Sequence, residues 1–211
     1  MAKIAQLKID SGAIEQEMIP YSAQTTKAGL IRIIVDGKTP LLTHNPESMN
    51  IIKEATKGSR IPPPEIEAEA GCYRTSDGTC ALKGESFRGA ELAAASAYRI
   101  KKASLRYAFA HIIVLEELVP LMRRDGTPIS DYVIDKRRAI VQRQGIIRCR
   151  PRFDEWSAMF TFQYDPIIVT DSKLIVDVLQ DAGGRIGVGD YRPARNGWFG
   201  RFNVRAYQVL D

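Results

Sequence analysis

The sequence predicts an α+β protein with a ferredoxin-like, split βαβ core. Three observations lead there. A short β-branched run, Gly29 to Asp36, is followed by an alanine-rich helical segment, Glu85 to Arg106, and then by an apolar strand, Phe109 to Leu121. A second helix, Asp171 to Asp181, precedes a closing strand, Phe202 to Val209. With the pair of strands between 139 and 164 treated as a hairpin elaboration, the order reads strand, helix, strand, strand, helix, strand.

Each element carries its own signal. The first strand is short and bounded by Gly29 and Asp36-Gly37. Residues 37–83 differ in kind: Pro40, Pro46, the run Pro62-Pro63-Pro64 and the acidic Glu65, Glu67 and Glu69 predict a long, irregular, thumb-like insertion with solvent-facing carboxylates. The first helix places Leu92, Tyr98 and Leu105 at helical intervals, with Ser86 as its N-cap. Arg124 to Pro128 marks a turn, and Ala139–Arg150 and Trp156–Tyr164 read as strands around Pro151–Glu155. The second helix begins near Asp171 and ends at Gly183-Gly184, the expected C-terminal glycine signal. The whole reads as one domain over residues 1–211.

Composition narrows the function classes. The chain has 211 residues, is 45% hydrophobic and 26% charged, and carries a formal charge of +5. That permits nucleic-acid binding without demanding it. No apolar run approaches the roughly 20 residues of a membrane span, and Met1–Asp10 lacks a signal-peptide core. Cys72, Cys80 and Cys149 have no metal-type spacing and suit a reducing cytoplasm, where they serve as small, inert residues. His44 and His111 lie far apart, so no metal site or cofactor is expected. No nucleophile elbow and no phosphate-binding P-loop is present, so no catalytic residue is expected.

The most informative stretch is Gly183–Val204. Six glycines are interspersed there with four arginines (Arg185, Arg192, Arg195, Arg201) and four aromatics, among them Tyr191 and Trp198. Glycine lets backbone approach a ligand closely. Arginine forks match phosphate, and aromatic faces stack on bases. Three further basic groups stand out. Lys83, Ser86 and Arg88 sit at a helix N-terminus, where free N–H groups attract phosphate, although the same residues suit a plain capped helix start. Lys136-Arg137-Arg138 and Arg143 lead to Arg148, Arg150 and Arg152, which are two apart and share one strand face; that suits a backbone-tracking groove or, equally, a solvated strand edge. Arg99, Lys101, Lys102 and Arg106 read as a solvated helical face.

Two of these segments resemble the RAMP superfamily, the RNA-binding proteins of CRISPR effector complexes and guide processing. Its backbone subunits carry a segment of the type Ile-Pro-Gly-Ser-Ser-Leu-Lys-Gly before their first long helix. In Ala81–Ala90, Gly84, Ser86, Phe87, Arg88 and Gly89 fall on the first glycine, second serine, leucine, lysine and final glycine, while Leu82, Lys83 and Glu85 depart from the pattern. Cys72-Tyr73-Arg74 through Gly78 resembles the short strand and turn that lead into it. The family's glycine-rich loop is similar to Gly187-Val188-Gly189 and Gly197–Phe202, with one extra residue between the second pair of glycines. The ending is also similar to that of phage-encoded proteins with a Gly-Ile-Gly-x-x-Arg-Pro motif.

The resemblance implies a ferredoxin-like (RRM-like) fold that binds RNA through its sugar-phosphate backbone and self-associates along the strand or joins other subunits of a complex. The expected partner is single-stranded RNA or DNA, with RNA favoured. Expected contacts are Lys83, Ser86, Arg88, Arg148, Arg150, Arg185, Tyr191, Arg192, Arg195, Trp198 and Arg201. Some family members cleave RNA with a loop aspartate; the nearest position here is Glu69, so a non-enzymatic binder is expected. The expected location is cytoplasmic, the host cytoplasm for a phage-encoded member. The alternative is a phage structural or interaction protein that keeps the fold and binds proteins, such as a CRISPR-complex mimic or inhibitor. A ribonuclease using His44 or His111 is the third reading.

Overall fold

The computed structural model describes residues 27–48, 50, 62–100, 102–141 and 144–210; Met1–Asp10, Lys101 and Arg143 lie outside them. The architecture is α+β, built on antiparallel sheets. The strands are β1 (Gly29–Gly37), β2 (Leu41–Leu42), β3 (Tyr73–Arg74), β4 (Cys80–Lys83), β5 (Arg99–Ile100), β6 (Ala103–Ser104), β7 (Ile113–Val114), β8 (Leu118–Met122), β9 (Val133–Val141), β10 (Gln144–Phe153), β11 (Ser157–Tyr164) and β12 (Phe202–Leu210). The helices are α1 (Pro64–Ala70), α2 (Gly84–Ala95), α3 (Arg106–Phe109) and α4 (Ser172–Arg185).

The main sheet runs β12-β1-β11-β8-β4-β3, with β7 also pairing β11. Alternation decides its faces. Ile31, Ile33 and Val35 point one way and lie opposite Phe162, Phe160 and Ala158 of β11. All six are buried, and α2 and α4 cover them: Phe87 stacks on Phe160 at 4.3 Å, and Ile175, Val178, Leu179 and Ala182 form the inward stripe of α4. Of the residues between them, Arg32 and Met159 point to the opposite face and are exposed. Trp156–Tyr164 is therefore a central strand and not part of a hairpin elaboration. The elaboration is β9–β10, whose outer partner on the β10 side is β2.

Several expected boundaries shift for physical reasons. The first helix stops at Ala95, because Ser96 to Ile100 are exposed and offer no apolar stripe to bury. The chain then turns through β5–β6, so Arg99, Lys102 and Arg106 do not share a helical face. Ser86 is not the N-cap; Lys83 occupies that place, and no side chain caps the helix. The Phe109–Leu121 strand is broken into α3, β7 and β8. At the break the Glu116 carboxylate accepts the Thr161 N–H at 2.8 Å, and the Glu117 carbonyl accepts the N–H of Gly84 at 2.9 Å.

The second helix runs through both glycines to Arg185. A Cβ on Gly183 would meet the Phe202 carbonyl oxygen at 2.2 Å, so this glycine serves close helix–strand packing and not termination. Asp171 caps the helix as expected, accepting the Lys173 N–H at 2.9 Å. Among the described residues of the 37–83 insertion there is regular structure: Pro64 opens α1, and β3–β4 form a hairpin. Glu67 is buried there, accepting from Arg148 at 3.1 Å and from the Cys149 N–H at 3.1 Å; Glu65 and Glu69 face solvent.

Candidate nucleic-acid interface

The glycine-rich loop is zipped onto the segment after β1. The Asp190 N–H donates to the Leu42 carbonyl at 2.8 Å, Gly200 to Pro40 at 2.8 Å and Lys38 to Arg201 at 2.7 Å. Val188 and Gly200 close the loop on itself at 2.9 Å. Two glycines show why the composition is needed. Gly189 has φ +73, and its missing Cβ would lie 2.4 Å from the Leu42 carbonyl oxygen; a Cβ on Gly197 would lie 1.7 Å from that of Tyr191. Val188 and Phe199 are buried beneath the loop. It is a folded lobe rather than an extended hairpin.

The start of α2 and this lobe form the two walls of a groove. Ser86, Arg88 and Ala93 line one side and Val188, Arg192 and Arg195 the other, enclosing about 560 Å³. A second hollow of about 220 Å³ continues from it, sharing Ser86, Gly189 and Arg192 and ending at Thr43, His44 and Tyr73. Gly84 lets the helix start this close to its neighbours: a Cβ there would meet the Glu116 carbonyl oxygen at 2.0 Å. The uncapped helix start adds the positive end of the dipole to the groove wall. Glu85 and Asp190 are the acidic residues on the lining.

The expected contact residues fall into two groups. Arg192 donates one nitrogen to the Gly189 carbonyl at 2.9 Å and faces both hollows. Arg195 is exposed on the groove rim and makes no ion pair among the described residues. The Lys83 amine stands 5.9 Å from the centre of the Tyr73 ring. Tyr191 and Trp198 are 45% and 50% exposed and flank the buried Phe199, with ring centres 6.2 and 4.8 Å from it.

The other arginines hold the protein together. Arg88 donates to the Ile112 carbonyl at 2.7 Å and the Ala110 carbonyl at 3.2 Å, presenting only part of its fork to the groove. Arg148 pairs with Glu67, and Arg150 with Asp190 at 2.7 Å. Arg185 pairs with Asp181 at 2.6 Å and donates to the Ala94 carbonyl, tying α4 to α2. Arg201 donates to the Gly184 carbonyl. Arg148 and Arg150 do share a strand face, but that face packs against α1 and the lobe and is not open solvent.

Residues that sequence reasoning left out of the groove are Thr43, His44, Tyr73 and Asp190. Thr43 and His44 follow β2, which meets the lobe only in the tertiary fold, through the Asp190 N–H on the Leu42 carbonyl. His44 stands on the rim, and protein crowded on its inner side lowers its pKa; Arg150 and Arg148 lower it further, against Asp190 and Glu67. It is therefore neutral at physiological pH. His111 is exposed in the turn after α3.

No family model and no curated protein matches this chain. Among the described residues no helix is long and apolar enough to cross a membrane.

Proposed function

We propose that the protein grips single-stranded nucleic acid, RNA favoured, along its phosphate backbone without reading base sequence. The observation that carries this reading is the groove itself: the two segments singled out by composition, Lys83–Ala90 and Gly183–Val204, face each other across it. Ser86, the α2 N-terminus, Arg192 and Arg195 supply donors for phosphate, and Tyr191 and Trp198 supply exposed rings for base stacking. Lys83 adds charge at the helix start.

The sheet order supports a ferredoxin-like core, and RAMP-type membership is part of the same proposal. The strands β12-β1-β11-β7/β8 stand in the order last, first, third, second, with α2 between the first and second and α4 between the third and last. The 37–83 insertion takes the thumb-like role, and its β2 joins the β9–β10 hairpin. On this reading copies of the protein line up along the strand in a cytoplasmic nucleoprotein complex, and the protein holds the strand rather than cutting it.

One observation favours a protein partner instead. Arg148, Arg150, Arg185 and Arg201 are engaged internally, so few free cations face the groove. The test is the ultraviolet absorbance ratio of the purified protein before and after nuclease treatment. Bound strands that nuclease removes support the proposal. Assembly that survives nuclease unchanged supports the protein-binding alternative.

A further inference from the structure

We infer that Cys72 and Cys80 form a peroxide-responsive dithiol that closes to a disulfide across the β3–β4 hairpin. Arg74 and Cys80 lie opposite each other in the ladder, and Cys72 is two residues before Arg74, so all three side chains share one face. The two sulfur atoms are 3.5 Å apart. They need to close by roughly 1.5 Å to reach a bond length of about 2.05 Å. Arg74 Nη1 stands 3.4 Å from Cys80 Sγ, a cation placed to stabilise a thiolate. The guanidinium is itself held by both Glu69 oxygens, at 2.6 and 2.9 Å, and by the carbonyls of Gly78 and Ser130.

The chemistry has two distinct sulfurs. The Cys72 S–H donates to Cys80 and, with Arg74, lowers the Cys80 pKa; the same contact raises that of Cys72. Cys149 shows the contrast: it is buried beside Glu67, and burial and Glu67 raise its pKa against a smaller lowering by Lys136 across the ladder. Both members of the pair are buried, but β3 is an edge strand held by a two-residue ladder, so local opening admits a small oxidant.

The Cys80 thiolate attacks one oxygen of a hydroperoxide. An S–O bond forms, the O–O bond breaks, and hydroxide leaves and takes a proton to become water (or an alcohol, for an organic hydroperoxide). Cys72 sulfur then attacks the sulfenic acid sulfur. The S–S bond forms, the S–O bond breaks, and water leaves with the Cys72 proton. Two thiols lose two electrons in total, and the peroxide oxygens gain them.

The test uses the reduced full-length protein, exposed to hydrogen peroxide and then alkylated under denaturing conditions for intact-mass and tryptic analysis. Cleavage after Arg74 separates the two cysteines, so a disulfide joins two distinct peptides. The expected result is that these peptides become linked at least about ten-fold faster than Cys149 is lost, reversibly with dithiothreitol. In Cys72→Ser, Cys80 should instead accumulate as a sulfenic acid that dimedone traps. All three thiols remaining alkylatable, or Cys149 reacting first, would overturn the inference, and the wild-type mapping decides it even where the variant fails to fold.

Discussion

Arg150 of β10 reaches Asp190 of the glycine-rich lobe at 2.7 Å, across forty residues of sequence. The guanidinium is 16% exposed and the carboxylate 34%. Together with Arg137, whose guanidinium lies 4.6 Å from the centre of the Phe199 ring, this pair clamps the long hairpin onto the lobe. An arginine row that composition alone assigns to phosphate thus braces one wall of the groove.

Arg150→Ala is expected to cost about 1–2 kcal/mol, because it leaves a half-buried carboxylate without its partner. Denaturant unfolding measures the loss. Hydrogen exchange across 187–200 should accelerate while exchange in β1 and β11 stays unchanged.

The glycines of the lobe differ sharply in what they do. Gly197→Ala forces a Cβ to within 1.7 Å of the Tyr191 carbonyl oxygen. The expected cost exceeds about 2 kcal/mol. Gly184 lies within α4, and nothing stands within 4 Å of where its Cβ would go. Gly184→Ala should therefore gain about 0.5–1 kcal/mol. Thermal melts of the two variants should move in opposite directions.

Glu91 is fully buried on α2, with Oε1 unbonded among the described residues, and burial raises its pKa well above the usual 4.5. Below that value both states are protonated and Glu91 has no effect. Above it the unfolded chain releases a proton that the folded protein keeps, so stability falls as pH rises toward the raised folded-state pKa. Glu91→Gln should be more stable than wild type at neutral pH and equal to it near about pH 4. Chemical denaturation across pH checks the crossover.

The arginines should separate by phenotype. Arg195→Ala should leave stability within about 0.5 kcal/mol of wild type and weaken strand binding. Arg88→Ala should lower stability by about 1–3 kcal/mol, since the Ile112 and Ala110 carbonyls lose their donor. Parallel melts and binding titrations distinguish the two.

What was legible in the sequence was what burial pattern encodes locally. β1 follows from its β-branched run between Gly29 and Gly37, and the capped start of α4 from Asp171. The glycine-rich lobe and the α2 start were legible as a pair, although not the hollow ending at His44. Less legible were elements whose reasons are tertiary. Gly183 looks like a helix end until Phe202 is seen against it, and Glu116 breaks a strand because its carboxylate takes the place of a ladder partner. The arginine row of β10 was legible as a composition but not as a brace, because Glu67 and Asp190, the partners of Arg148 and Arg150, are distant in sequence.

Titration of labelled single-stranded RNA homopolymers against wild type and Arg192→Ala/Arg195→Ala across salt concentrations decides whether the groove grips a strand by its phosphates. Affinity should be similar for different bases, and log affinity should fall linearly with log salt. The slope should be shallower by about 0.7 for each arginine removed. Affinity that is absent, indifferent to salt, or unchanged in slope in the double variant would contradict such a grip.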